Sequence, residues 1–97
     1  MDGVSGYLCV VHEVSFYGGG HRWYVHRFVW LDTSFAVRRV SLLFYLDHLG
    51  VEYCSGMAFA HDADELLLTA GIEEGSARMF GVATAIVRGM LRPVPAL

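Results

Sequence analysis

Tyr7-Leu8-Cys9-Val10-Val11-His12-Glu13-Val14-Ser15-Phe16 is followed by Tyr17-Gly18-Gly19-Gly20-His21 and then by Arg22-Trp23-Tyr24-Val25-His26-Arg27-Phe28-Val29-Trp30-Leu31. Two runs rich in β-branched and aromatic residues flank a glycine-rich loop, which predicts a β-hairpin. Neither run alternates cleanly between apolar and polar residues. Each strand is therefore expected to be covered on both faces, as in layered sheets. His12, Glu13, His26 and Arg27 interrupt the apolar wall. If Phe16 pairs with Arg22, His12 lies opposite His26 on one sheet face. A slip of one residue places His12 opposite Arg27 instead. Ionisable groups inside a hydrophobic sheet are costly unless paired, so these four form the first candidate site. A purely structural set of core histidines with a Glu–Arg bridge carries equal weight at this point.

Working outward, Asp32-Thr33-Ser34 reads as a turn held by side-chain hydrogen bonds to backbone. A third strand is predicted over 36–45. Val37, Arg39, Ser41, Leu43 and Tyr45 would share one of its faces, and Arg38, Val40, Leu42 and Phe44 the other. Asp47-His48-Leu49-Gly50 breaks the sheet. Strands follow near 54–60, 65–72 and 77–82. The Leu66-Leu67-Leu68 run is read as strand because of its flanking turns. Thr84 is placed to cap a short helix near 84–91, with Ile86 and Met90 on one face and Pro93 as the stop.

The expectation is an all-β chain of two antiparallel meanders, about 6–45 and 51–83, with a short C-terminal helix. Such meanders suit propeller blades, which neighbours cover on both faces. The 97 residues form one unit, 1–97, and two blades do not close a propeller.

Composition narrows the function. A chain of this size buries only about 60–65% of its unfolded surface. With 55% hydrophobic residues it holds more apolar material than a small monomer hides. The expected partners are therefore a second copy or a complementary propeller half. A net charge of −3 gives no reason to expect nucleic acid or an anionic membrane. The uncharged run Met79–Val87 is too short for a membrane span. With Asp2 and no basic residue at the start, the pattern is not that of a signal peptide, and a cytoplasmic protein is expected. Cys9 and Cys54 sit in apolar surroundings without CxxC or zinc spacing, so no metal or other cofactor is expected. A stand-alone metal site of His12, His26 and Glu52 is a minor alternative.

Glu52 stands alone among apolar and small residues, either exposed at a strand start or aimed into a cleft. Tyr53, Tyr24 and Trp23 offer rings for sugar stacking or for the core. His12, Glu13, His26, Arg27 and Glu52 are expected to converge on one concave surface.

Several segments carry a likeness beyond these patterns. They are Tyr7-Leu8-x-Val10-Val11-His12-Glu13-Val14, Trp23 to Asp32, Arg39-Val40-Ser41-x-x-Phe44-Tyr45, Gly50 to Ala58, and Asp64 to Gly71. Over roughly 6–92 the chain resembles the C-terminal blades of five-bladed β-propeller proteins associated with bacterial glycosyltransferases. Those are similar to mannoside phosphorylases and glycosidases. The resemblance implies a part of a carbohydrate-active or glycan-binding propeller, not competent as an enzyme alone. Any activity would be glycosidase-like or phosphorylase-like, on a glycan or sugar phosphate.

In the phosphorylases a His in Tyr-His-Gly helps bind phosphate, and His12 matches that place with Glu13 where the family has Gly. A carboxylate there repels phosphate, so a neutral glycan or a hydrolytic role fits better. The relatives' His-Glu, His-Arg-Phe and Gly-Ile-Glu-Phe are matched by His12, Glu13, His26, Arg27 and Glu52. A later acidic motif is matched less well, with Glu74 at its Asp and Ser76 at its Glu. The implied roles are Glu52 and Glu13 as catalytic carboxylates, and His12, His26, Arg27 and Tyr53 as substrate contacts. The resemblance implies that the catalytic acid and most sugar contacts come from earlier blades, ahead of the part that these residues match. The rival reading is a structural or oligomerisation β-module whose His/Glu/Arg cluster has no catalytic role.

Overall fold

The computed structural model describes residues 5–17, 21–46, 52–60, 62–72 and 75–94, without the side chains of 15–17 and 21–23. The glycine loop 18–20, the break 47–50, the Glu73-Glu74 turn, His61 and the Trp23 side chain lie outside this description. The elements are β1 (Tyr7–Tyr17), β2 (His21–Leu31), β3 (Val37–Val40), β4 (Glu52–Phe59), β5 (Glu65–Ile72), β6 (Ala77–Ala83), α1 (Thr84–Met90) and β7 (Arg92–Pro93). They make an all-β fold with one short helix. One antiparallel sheet has the order β1-β2-β3-β7 and the other β4-β5-β6.

The β1–β2 ladder runs unbroken from Tyr7↔Leu31 to Tyr17↔His21, with His12 opposite His26 and Phe16 opposite Arg22. Of the two registers open from sequence, this is the first. Asp32 builds the next turn as expected. Its carboxylate accepts the N–H groups of Ser34 (2.8 Å) and Ala36 (3.0 Å) and the Nε–H of Arg38 (2.7 Å). The Arg38 hydrogen bond is the main reason the Asp32 carboxyl titrates below its ordinary value. The turn closes through Phe35 at φ 65°, an uncommon conformation for a bulky residue, and its ring stacks on Tyr7 at 5.1 Å.

The third strand departs from expectation. It is regular only over Val37–Val40 and resumes as a single bridge, His26↔Phe44. Two residues separate Phe28 from His26, but three separate their partners Ser41 and Phe44. The extra residue is a bulge. The Ser41 hydroxyl accepts the Phe28 N–H at 2.9 Å, Leu42 is pushed into solvent, and Ser41 and Phe44 both turn inward. The predicted alternation of faces therefore fails across 41–44.

β5 is a strand, not a helix, and alternates sharply. Leu66, Leu68, Ala70 and Ile72 are buried, while Leu67, Thr69 and Gly71 are partly exposed. Its inner face packs on Phe28 and Trp30 of the first sheet, with Leu8, Val10, Phe44, Met57, Phe80 and Val82 around them. The molecule measures 45 × 37 × 20 Å, a thin dimension that fits two stacked sheets about 10 Å apart.

The helix also differs in detail. Ala83, not Thr84, is the N-cap, and no side chain caps it. The Thr84 hydroxyl instead donates to the Ala63 carbonyl at 2.7 Å. Val87 and Leu91 enter the core, and Ile86 is exposed. After the helix, β7 returns to the first sheet and pairs with β3 through Arg39↔Pro93 and Val40↔Arg92. This seventh strand has no counterpart in the sequence reading, where Pro93 is a stop signal.

Candidate functional site

His26 and Glu52 are both fully buried, with 0% of either side chain exposed. β2 carries His26 at mid-strand and β4 begins at Glu52, so the pair bridges the two sheets. The Nδ1 of His26 lies 3.8 Å from Glu52 Oε1. On its other side Nε2 accepts the Cys54 N–H at 3.2 Å. A neutral imidazole that accepts at Nε2 carries its proton on Nδ1, here facing the carboxylate. At 3.8 Å no hydrogen bond forms, and Nδ1 is buried without a hydrogen-bond partner. Glu52 Oε1 accepts the Leu46 N–H, which ties the end of the bulged segment to the second sheet. The Phe44 ring lies 5.8 Å from the imidazole.

Burial is the largest influence on His26 and pulls its pKa below the ordinary 6.5. The Glu52 carboxylate and the Phe44 backbone oppose this pull, and His12 adds to it. Burial likewise raises the Cys54 thiol, whose Sγ donates to the Gly56 carbonyl at 3.4 Å.

The other residues singled out from sequence lie elsewhere. Neighbours along a strand point to opposite faces, so Glu13 and Arg27 occupy the outer face of the first sheet. There Arg27 Nη2 and Glu13 Oε1 approach to 3.9 Å, with 32% and 53% of the side chains exposed. Arg27 Nε is buried without a hydrogen-bond partner. His12 shares a face with His26, but on the exposed edge strand, its ring 6.1 Å from that of Tyr24. Tyr53 points away from Glu52, half exposed, with its ring over Gly71.

The expected convergence of five residues on one concave surface is therefore corrected. The structure forms two pairs on opposite faces of the hairpin; His12 lies directly across the ladder from His26 on the inner pair's face, and Tyr53 stands apart from both. Among the described residues no three His, Cys, Asp or Glu side chains are gathered to hold a metal ion. Nor is any helix among them long and apolar enough to cross a membrane.

Three contributors escape a reading of the sequence. Leu46 and Cys54 act through backbone N–H groups, which leave no trace in side-chain identity. Ser41 does leave one, as a lone hydroxyl in the run Val40-Ser41-Leu42-Leu43-Phe44. An apolar cleft of about 230 Å³ opens beside this region, lined by Phe28, Phe44, Leu46, Leu68, Phe80 and Met90 among others. None of the six residues proposed from sequence lines it. Comparison with family models, curated proteins and solved structures finds no match.

Proposed function

We propose that this chain is a β-sheet assembly module, completed by association with further sheets, and that His26 and Glu52 join its two sheets. The observation that carries this is the set of large apolar side chains left exposed on the outer sides of both sheets. On the first sheet Tyr7, Val11, Phe35 and Val37 are exposed, and on the second Tyr53 and Met79. Large contiguous apolar surfaces mark interaction sites in soluble proteins. A second copy and a complementary propeller half are the two partners this surface fits. The free thiols Cys9 and Cys54 suit a reducing, cytoplasmic setting. Sedimentation at 1–100 μM, about the range for ordinary association, tests the proposal. Concentration-dependent oligomers are expected, and a monomer throughout would overturn it.

A glycan-binding role is the second reading, favoured by the exposed His12 beside Tyr24 and by the likeness to propeller blades. Glycosidic chemistry needs two carboxylates flanking one bond. Glu52 is buried and Glu13 lies on the opposite sheet face, so this reading is one of binding, completed by a partner. Calorimetric titration with neutral oligosaccharides should show binding that His12→Ala removes without lowering the melting temperature.

A further inference from the structure

Four strands form sheet edges: β1 and β7 in the first sheet, β4 and β6 in the second. Natural edges are usually blunted by shortness, proline, bulges or basic residues. β7 has two residues, one of them Pro93. β4 shifts register between Cys54 and Gly56. β6 carries Arg78 and runs directly into α1. β1 is neither short, proline-bearing nor bulged, and His12 and Glu13 are polar interruptions of its apolar run. It is 11 residues long, contains no Pro, Lys or Arg, and keeps one register with β2 throughout. Among the described residues its backbone makes no backbone–backbone hydrogen bond outside the β2 ladder. In an antiparallel edge strand every second residue turns both its N–H and its C=O outward. Val11 and Val14 are exposed along the same strand.

We infer that β1 pairs antiparallel with β1 of a second copy, joining two four-stranded sheets into one of eight strands about a twofold axis. The inference rests on the assembly reading above and names its partner. Charge selects the register. Glu13 is the only carboxylate on β1. An axis at His12, the strand centre, would bring the two Glu13 residues within two positions of each other. An axis at Val11 separates them by four positions, about 13 Å along the strand, beyond a Debye length of about 8–10 Å. It still pairs Tyr7 through Ser15 of each copy. The twofold contact is self-complementary and closed, so it gives a dimer and not a fibre.

The test uses the full chain. Hydrogen exchange over about 1 to 100 μM, the ordinary range of association, should show alternate β1 amides gaining protection as the dimer forms. Val11→Cys should give a disulfide-linked dimer on mild oxidation, and Val37→Cys, on the outer sheet face, should not. Val11→Lys should weaken dimerisation at least tenfold, while near-wild-type circular dichroism shows that β1 stays on β2. A wild-type monomer would overturn both this inference and the assembly reading. An oligomer without β1 protection, linked by Val37→Cys but not by Val11→Cys, would overturn the edge pairing alone. The exchange measurement on wild type decides the matter even if a variant fails to fold.

Discussion

The hairpin takes part in two acid–base pairs of nearly equal length, His26 with Glu52 of β4 at 3.8 Å and Arg27 with Glu13 at 3.9 Å. Their surroundings differ completely. The first pair is sealed between two sheets, and the second stands in partial contact with solvent. Distance alone would rank them equal. Burial ranks them, because a buried polar group loses water whether or not its partner is ideal. The inner pair is therefore a joint that the fold depends on, and the outer pair an accessory. Substitutions at each pair test that ranking.

The largest effect should come from Glu52→Ala. It strips the Leu46 N–H of its acceptor and leaves His26 facing an apolar gap. An orphaned buried donor costs about 1–3 kcal/mol, and the cavity left by the truncated side chain adds to that. For a domain of this size, where total stability is about 5–15 kcal/mol, much of the population should unfold. The double variant His26→Phe/Glu52→Leu should recover part of the loss, since the buried imidazole donor is gone and the gap is filled by apolar side chains. Urea unfolding of the three proteins gives the comparison. If Glu52→Ala changes stability by less than about 1 kcal/mol, the low end of the cost of an orphaned buried donor, the joint is not one.

The next effect is the pH dependence set by His26. Its folded pKa is depressed, so between that value and the unfolded 6.5 the unfolded chain binds more protons than the folded one. Stability is full above pH 6.5, falls as the pH drops below it, and levels off beneath the folded pKa. Protonation of Nε2 would also displace the Cys54 N–H it accepts. His26→Gln should flatten this segment of the curve. Glu52 raises the His26 pKa, so Glu52→Gln should extend the fall to lower pH. Thermal melts from about pH 4.5 to 8, spanning the histidine range, check both signs. A flat wild-type curve below the ordinary histidine value would refute the assignment.

Much of this contrast is legible in the sequence. Glycines between two turn-bounded apolar runs announce the hairpin, while the sequence leaves two registers open, of which the Phe16–Arg22 pairing that sets His12 against His26 is the one formed. The strand at Glu65–Ile72 is legible from its flanking turns, despite its leucines. Gathering Glu13 and Arg27 with His12 and His26 is an error against the period of two, because adjacent residues of a strand cannot share a face. Two features are physically hidden. The bulge at Ser41 depends on a side-chain hydroxyl replacing a ladder acceptor, which spacing does not reveal. β7 is a two-residue return strand containing Pro93, and its signal in sequence is that of a helix stop. Sequence leaves Glu52 open between an exposed and a buried place, and only the packing of the sheets against each other decides it.

A smaller effect tests the bulge that feeds the joint. Ser41→Ala leaves the buried Phe28 N–H without its acceptor at 2.9 Å. An orphaned buried donor costs about 1–3 kcal/mol. Ser41→Thr keeps the hydroxyl but adds a methyl group where only 2% of the residue is exposed, so it should rescue only in part. Denaturant midpoints at constant slope give the values. An unchanged midpoint for Ser41→Ala would show that the ladder can close without the hydroxyl.

The smallest effect belongs to the outer pair. Exposed ion pairs contribute about 0–1 kcal/mol and weaken in salt. Here the 3.9 Å approach lacks hydrogen-bond geometry, and Arg27 Nε is buried without an acceptor. Arg27→Met keeps most of the aliphatic stem against the sheet and removes that orphaned donor. Its stability should lie within about 0.5 kcal/mol of wild type, with the sign leaning toward stabilisation. Arg27→Ala also removes the stem, so it should be the worse of the two. Glu13→Gln should match wild type in about 0.5 M salt, where the pair is screened. Urea titrations of these variants at low and high salt separate charge from packing. Should Arg27→Met prove as costly as Glu52→Ala, the two faces of the hairpin would be energetically alike, and burial would not be what distinguishes the pairs.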